Sequence, residues 1–197
     1  MSRQVIVSLV IAWCGLVALG LCAMSAYELT PGAGAAAHDC WPTGTSLTRD
    51  CDHPTLVMFV HPRCPCSFAS LSELTSLAER CRDRLSVRII FVRPVGLNRV
   101  DKNSPLWKSA EEVPGAMIVT DPDGVEAARF GARTSGEALL YARDGRLIFQ
   151  GGLTWARGHS GGSVGQEAVL SLIETGRAAK TRTAVFGCPL FDSSGSS

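Results

Sequence analysis

The sequence has almost no excess of charge of either sign. Its 197 residues include 19 lysines and arginines against 18 aspartates and glutamates, which leaves a formal net charge of +1. Domains that bind nucleic acid usually carry a clear basic excess, so the composition indicates no nucleic-acid partner. Internal repeats are also lacking, which excludes repeat architectures and favours one folded domain.

Charge is missing altogether from residues 5–27, a run of 23 residues. A helix of that length spans the ~30 Å hydrocarbon core of a bilayer. Arg3 precedes the run and Glu28 is the first charged residue after it, so the positive-inside rule places residues 1–4 in the cytoplasm. We therefore expect a single-pass transmembrane helix in the cytoplasmic (inner) membrane, with the rest of the chain on the periplasmic side.

A cleaved signal peptide is the alternative for this segment. Small residues at 23–25 and 33–35 offer cleavage sites. The apolar run is longer than the ~7–15 residues of a signal h-region, which favours a membrane anchor. Either interpretation exports the remainder, which divides into a linker at 28–40, a domain at 41–176 and a C-terminal tail at 177–197.

The pattern of apolar residues after the linker predicts alternating strands and helices. Residues 55–60 and 87–92 are apolar runs typical of buried parallel strands, and apolar residues between them recur every three or four positions, as on an amphipathic helix. A loop containing Pro105 follows. Further strands are predicted at 116–119, 138–141 and 147–149, and helices at 124–130 and 166–175. This order predicts an α/β, thioredoxin-like fold in which helices flank a central mixed sheet.

Two of the eight cysteines, Cys64 and Cys66, flank Pro65 between the first predicted strand and the helix after it. Proline fits the first helical position and disfavours helical geometry in the residue before it, so Cys64 is expected to be the helix N-cap. An N-cap side chain accepts bonds from free N–H groups and lies in the positive field of the helix dipole. Cys64 is therefore predicted to be the low-pKa nucleophile, and Cys66 the thiol that resolves it.

Two histidines are further candidates. His61 lies three residues before Cys64, where it could assist proton transfer, bind a metal or simply cap the turn. His159 lies in a glycine-rich loop, residues 158–162, which a thioredoxin-like fold would bring near the cysteines. Such a loop with one histidine is also compatible with simple mobility.

The remaining cysteines of the folded part have several possible roles. Cys188 lies in an apolar stretch of the tail and is either a third functional thiol or a structural cysteine. Cys40 and Cys51 flank a short polar loop and are the candidate structural disulfide. Cys81 falls on the apolar face of the predicted helix, which indicates a buried core thiol.

Residues 59–66 (Phe-Val-His-Pro-Arg-Cys-Pro-Cys), followed by Ser-Phe-Ala-Ser-Leu, resemble the active-site turn of membrane-anchored thioredoxin-like proteins. The likeness is to redoxins of the ResA/TlpA type, and most closely to a bacterial group known as RedB. It runs over residues 54–175 and includes the tail at 185–190. The resemblance implies a thioredoxin-like fold and thiol exchange with envelope proteins, such as apocytochromes or metalloprotein precursors.

The resemblance also implies a substrate loop, formed by Thr134, Ser135 and Gly136, but the chain departs from the family pattern at two places. One residue, Pro65, separates the cysteines where the family has two. Ser135 and Gly136 stand where thioredoxins have a cis-proline that helps to hold substrate chains and discourages metal binding. These departures leave room for a metal.

The sequence thus predicts a thiol–disulfide oxidoreductase without a bound cofactor, acting on thiol-containing envelope proteins. In the alternative, Cys64 and Cys66 hold Cu(I), because soft thiolates select this ion. His61, His159 and Cys188 are the candidate further ligands. A thiol peroxidase is disfavoured, since His61 stands where peroxiredoxin-like sites have Thr or Ser. The direction of electron flow and the oligomeric state are left open.

Overall fold

The computed structural model of the protein describes residues 2–94, 96 and 99–191. The chain divides into two compact units, Met1–Thr30 and Pro31–Ser197. The first unit is a single helix, α1 (Arg3–Glu28), whose first turn is capped by the hydroxyl of Ser2. None of its residues is buried, and it is long and apolar enough to cross a bilayer. Signal sequences share these properties, so α1 fits either role predicted for it.

The second unit is built on a five-stranded sheet. Its elements in chain order are β1 (Thr55–Val60), α2 (Ser67–Arg80), β2 (Ser86–Arg93), α3 (Pro105–Glu111), β3 (Ala116–Pro122), α4 (Val125–Arg129), β4 (Glu137–Tyr141), β5 (Leu147–Gly152) and α5 (Val164–Thr175). The strand order is β3-β2-β1-β4-β5. β1, β2 and β3 are parallel to one another, β4 pairs antiparallel with β1, and β5 pairs antiparallel with β4. The fold is thioredoxin-like, which confirms the predicted class.

Strand β1 lies between β2 and β4, and all six of its residues are buried. Side chains alternate along a strand, so its two faces serve two apolar clusters. Leu56, Met58 and Val60 pack with residues of α2, α3 and α5. Val57 and Phe59 pack on the other face, with α4. A strand buried on both faces appears in sequence as a continuous apolar run, which is why its bounds were predicted correctly.

Helix α3 was predicted to be part of a loop. The hydroxyl of Ser104 accepts a hydrogen bond from the N–H of Trp107 at 3.3 Å, and Pro105 occupies the first helical position. The buried ring of Trp107 packs against Phe91 of β2, with the ring centroids 4.8 Å apart. Seven residues are too few for a periodic apolar pattern, so this tertiary contact stabilises a helix that periodicity does not reveal.

From Pro31 onward, the segment predicted to be a linker is part of the second unit. The N–H of Ala35 donates to the carboxylate of Glu137 at 2.8 Å, and its carbonyl accepts from the side chain of Gln150 at 2.8 Å. The N–H of Gly32 donates to the carbonyl of Val185 at 2.8 Å. The compact unit therefore starts at Pro31, ahead of the boundary expected from composition.

The C-terminal tail runs beside β5. The N–H of Gln150 donates to the carbonyl of Thr181 at 2.9 Å, and the N–H of Thr183 returns a bond to the Gln150 carbonyl at 3.1 Å. The next contact joins Gly152 to the carbonyl of Ala184 at 3.2 Å. A Cβ at Gly152 would lie 2.7 Å from that carbonyl oxygen, so glycine permits the close approach.

Candidate active site

Cys64 lies in the turn between β1 and α2. Its N–H donates to the carbonyl of His61 at 3.1 Å, and its own carbonyl accepts from the N–H of Ser67 at 3.2 Å. These tight turns precede the helix, so the N-cap is Cys66. The prediction that Cys64 is the N-cap is therefore wrong. The side chain of Cys66 makes no capping hydrogen bond. The groups that surround the Cys64 sulfur are therefore side chains and the C-terminal tail.

The Cys64 side chain is 1% exposed and lies beside two hydroxyl groups and the tail. The Oγ atoms of Ser67 and Ser135 are 2.7 Å apart. Ser135 Oγ also accepts the N–H of His61 at 2.7 Å, which leaves its hydroxyl hydrogen to donate. The N–H of Cys188 donates to the Cys64 sulfur at 3.4 Å.

These donors decide the acidity of Cys64. Burial raises the pKa of the Cys64 thiol, because water cannot solvate a thiolate there. Hydrogen bonds from the Ser67 hydroxyl and from the thiol and N–H of Cys188 lower the pKa, as does the Ser135 hydroxyl. The hydrogen bonds prevail, and the pKa of Cys64 lies below the ordinary thiol value. Cys64 is therefore the thiol of this site best suited to act as a nucleophile.

Cys66 and Cys188 bring two further thiols to the site, and the three sulfur atoms all lie within 4.8 Å of one another. Burial raises the pKa of Cys66, the nearby Cys64 charge raises it further, and Arg157 lowers it. Burial and the hydrogen bond to Cys64 raise the pKa of Cys188 to about 12. These shifts make Cys64 the first of the three thiols to ionise as pH rises.

The same three sulfurs fit a soft metal ion. Thiolates select ions such as Cu(I), and three sulfurs this close can reach one ion. Within the described part of the chain, no other group of three Cys, His, Asp or Glu side chains lies close enough to do so. Neither His61 nor His159 belongs to the group, so the third ligand candidate in the structure is Cys188 and not a histidine.

Both histidines make contacts within their own loops. The Nδ1 atom of His61 accepts the N–H of Arg63 at 3.1 Å, which matches the turn-capping role considered for it. The ring of His159 lies against Trp155, with the centroids 4.8 Å apart, in the loop between β5 and α5. That loop is tied to α2, because the N–H of Gly161 donates to the Glu73 carboxylate at 2.5 Å.

The predicted substrate loop lies beside Cys64, and the tail is paired with it. The N–H of Ser135 donates to the carbonyl of Cys188 at 2.8 Å. Thr134 and Pro189 form an antiparallel bridge. Gly136 connects the loop to the end of β1, because its N–H donates to the carbonyl of Phe59 at 2.8 Å. Loop, tail and cysteine turn thus form one continuous site.

The other cysteines lie apart from this cluster. Cys40 and Cys51 are exposed free thiols, so the structure does not contain the predicted disulfide. The backbone of Cys40 forms an isolated antiparallel β-bridge with Arg146, in the turn of the β4–β5 hairpin. Cys51 lies in the bend before β1. Cys81 ends α2 and is 1% exposed in the core, as its place on the apolar face indicated.

Sequence reasoning missed two residues of the site. Ser67 directly follows Cys66, and its position beside the motif is the one signal that could have identified it. Arg157 comes from the loop after β5, and its guanidinium donates to the carbonyl of Gly187. No local pattern distinguishes this arginine from the solvated ones, because only the fold brings it to the cysteines.

No protein-family model and no curated protein matches the sequence. Among solved structures, an uncharacterized conserved protein from Geobacillus kaustophilus is similar, with a TM-score of 0.60, 19% identity and coverage of 85% of this chain and 95% of the other. A hypothetical protein from Sinorhizobium meliloti 1021 is also similar, with a TM-score of 0.58, 23% identity and coverage of 83% of this chain and 94% of the other. At these identities the likeness is one of fold, and the strand order described above makes that fold thioredoxin-like.

Proposed function

We propose that the protein is an extracytoplasmic thiol–disulfide oxidoreductase that acts through Cys64 and Cys66. One observation carries the proposal: two sulfur atoms within 4.8 Å of each other, one with a lowered thiol pKa and the other with a raised one. That difference supports Cys64 as the attacking thiolate and Cys66 as the resolving thiol.

In the first step, the Cys64 thiolate attacks one sulfur of a client disulfide. A bond forms between Cys64 and that sulfur, the client disulfide breaks, and its second sulfur leaves as a thiolate that takes up a proton. The Ser67 hydroxyl and the N–H of Cys188 stabilise the thiolate before the attack. These hydrogen bonds no longer stabilise a charge once the Cys64 sulfur is neutral in a disulfide, so they favour the reduced form of the site.

In the second step, Cys66 attacks the Cys64 sulfur and releases the client as a thiol. The mixed disulfide removes the negative charge from Cys64, which is one of the causes that raise the pKa of Cys66. Arg157, which lowers that pKa, remains. Cys66 therefore becomes a better thiolate when it is needed, and the products are a Cys64–Cys66 disulfide and a reduced client. The reverse sequence would oxidise a client dithiol.

The location and clients belong to the same proposal. α1 would hold the protein in the cytoplasmic membrane with Pro31–Ser197 on the periplasmic side, because Arg3 precedes the apolar run and Glu28 follows it. The clients would be envelope proteins with exposed thiols, as in the ResA/TlpA-type and RedB-like redoxins that the sequence resembles. We expect the full chain to remain in the membrane pellet after alkaline carbonate washing; release into the supernatant would contradict the anchor.

A redox titration tests the chemistry. The full chain, in detergent micelles, is equilibrated with mixtures of reduced and oxidised glutathione, its thiols are trapped, and the cysteine peptides are mapped by mass spectrometry. We expect a two-electron transition that joins Cys64 to Cys66. Cys66→Ser should accumulate a glutathione adduct on Cys64, and Cys64→Ser should abolish the transition.

The exposed Cys51 supplies a matched control, because Cys51→Ser removes a thiol far from the cluster and should leave the potential unchanged. If no glutathione ratio produces a disulfide or an adduct at Cys64, the oxidoreductase proposal is wrong.

The three-sulfur cluster supports a second candidate function, Cu(I) binding by Cys64, Cys66 and Cys188. The test is anaerobic competition with a chromogenic Cu(I) chelator. We expect one ion per chain, and Cys188→Ala should weaken binding by at least the roughly tenfold change typical of a lost supporting group. Cys51→Ala is the control. Complete retention of copper by the chelator would exclude this function without affecting the redox titration.

A further inference from the structure

The C-terminal tail lies along the substrate loop as a separate peptide would. The N–H of Ser135 donates to the carbonyl of Cys188 at 2.8 Å, and the N–H of Leu190 donates to the carbonyl of Arg133 at 2.9 Å. Together with the antiparallel bridge between Thr134 and Pro189, these bonds form a short β-ladder. Backbone pairing of this kind is how an extended peptide adds to an exposed edge.

This placement brings a cysteine of the tail against the nucleophile. The N–H of Cys188 donates to the Cys64 sulfur at 3.4 Å, and the Cys188 sulfur lies within 4.8 Å of it. Cys64 is 1% exposed, so a client sulfur has no room to approach while the tail is in place. The tail thus covers the thiol that the proposed reaction requires.

Two residues of the tail, Gly187 and Leu190, fit features of the groove. A Cβ at Gly187 would collide with the carbonyl oxygen of Ser135, so the position before the cysteine admits glycine alone. The carbonyl of Gly187 accepts the guanidinium of Arg157. Leu190, two residues after the cysteine, is 0% exposed and packs in the cluster that contains Phe59 of β1.

From these contacts we infer that the tail is a tethered mimic of the client, and that clients bind in its place as extended segments of the pattern Gly-Cys-x-Leu. This inference rests on the proposed function and adds how the client is recognised. The client cysteine would occupy the position of Cys188, its backbone N–H would donate to Cys64, and its carbonyl would pair with Ser135. The tail and the client compete for one site.

Carbamidomethylation of Cys64 by iodoacetamide, followed by mass spectrometry in the full chain, tests this arrangement. The rate plateau at high pH reports access to the thiolate, and the midpoint reports its pKa. Gly187→Val forces the tail out of the groove, and we expect the plateau to rise at least about tenfold, because reaction no longer requires local opening. Gly34→Val is the matched control, since a side chain there meets nothing within 4 Å. An unchanged plateau in Gly187→Val would overturn the inference.

Peptides then test recognition. A peptide of residues 184–191 carrying Cys188→Ser should restore protection of Cys64 in the Gly187→Val chain, whereas the same peptide with Gly187→Val should not. Protection by neither peptide would overturn the client-mimic role, and protection by both would overturn the glycine requirement. The assay uses an alkylating agent and no disulfide, so it can succeed even if the redox titration fails, and the two proposals fail separately.

Discussion

The backbone N–H of Cys188 donates a hydrogen bond to the sulfur of Cys64 at 3.4 Å, across 124 positions of sequence. This contact joins the C-terminal tail to the turn after β1 and supplies a donor that a helix N-terminus would otherwise provide. The site therefore depends on a segment that follows the last helix of the fold.

Hydroxyl groups lower the pKa of the Cys64 thiol, and the hydrogen bond from Ser67 lowers it most. Ser67→Ala removes this donor while burial of the sulfur remains. We expect the pKa of Cys64 to rise, so that the midpoint of its alkylation rate moves to higher pH. The control is Ser72→Ala, on an exposed position of the same helix. An equal midpoint in wild type and Ser67→Ala would show that the hydroxyl does not stabilise the thiolate.

The tail should contribute to stability through Leu190, which is 0% exposed. Leu190→Ala leaves a cavity against the sheet, and we expect it to lower the free energy of unfolding by ~2–5 kcal/mol in urea titrations followed by tryptophan fluorescence. Phe191→Ala is the matched control, because Phe191 is 36% exposed and should cost less. Equal losses in the two variants would mean that the tail is not held by its buried leucine.

Glu137 should make stability depend on pH. Burial raises the pKa of this carboxyl, although the N–H groups of Arg133 and Ala35 hydrogen-bond to it and act in the opposite direction. A carboxyl whose pKa is higher in the folded state favours folding while it is protonated, and this contribution is lost as pH rises through the folded pKa.

Glu137→Gln cannot titrate. We therefore expect wild type to lose stability relative to Glu137→Gln as the pH increases above ~4.3, where an unperturbed glutamate titrates. Urea midpoints at several pH values measure the difference. Glu79→Gln, on the exposed side of α2, serves as the control. A difference between wild type and Glu137→Gln that stays constant with pH would contradict the raised pKa.

The N-terminal boundary of the folded unit can be tested by truncation. A chain that begins at Pro31 keeps the bonds from Gly32 to Val185 and from Ala35 to Glu137, whereas one that begins at His38 loses both. Each lost bond costs ~0.5–1.5 kcal/mol, and the buried carboxylate loses a donor as well. We expect the shorter chain to have the lower urea midpoint. Equal midpoints would return residues 31–37 to the role of a linker.

Local patterns in the sequence were sufficient for most of the fold. β1 was predicted to its last residue because a buried parallel strand is apolar at every position. The last residue of α5 was also predicted correctly, because Ser163 caps this helix and Gly176 ends it with a positive φ of 73°. Helix α3 was not predicted, because its seven residues are too few for a detectable periodic pattern, even though Ser104 and Pro105 mark its start.

The sequence by itself determined the fold class, the apolar N-terminal helix and the pairing of Cys64 with Cys66 at the start of α2, because each depends on residues that are neighbours in the chain. The tertiary structure alone decided which groups surround Cys64. Ser135 reaches Ser67 across 68 positions because β4 pairs with β1, and Cys188 arrives because the tail runs back past β5 to the substrate loop. Hydrogen bonds between segments so far apart leave no periodic signal in the chain, and only the folded backbone brings their donors to one sulfur.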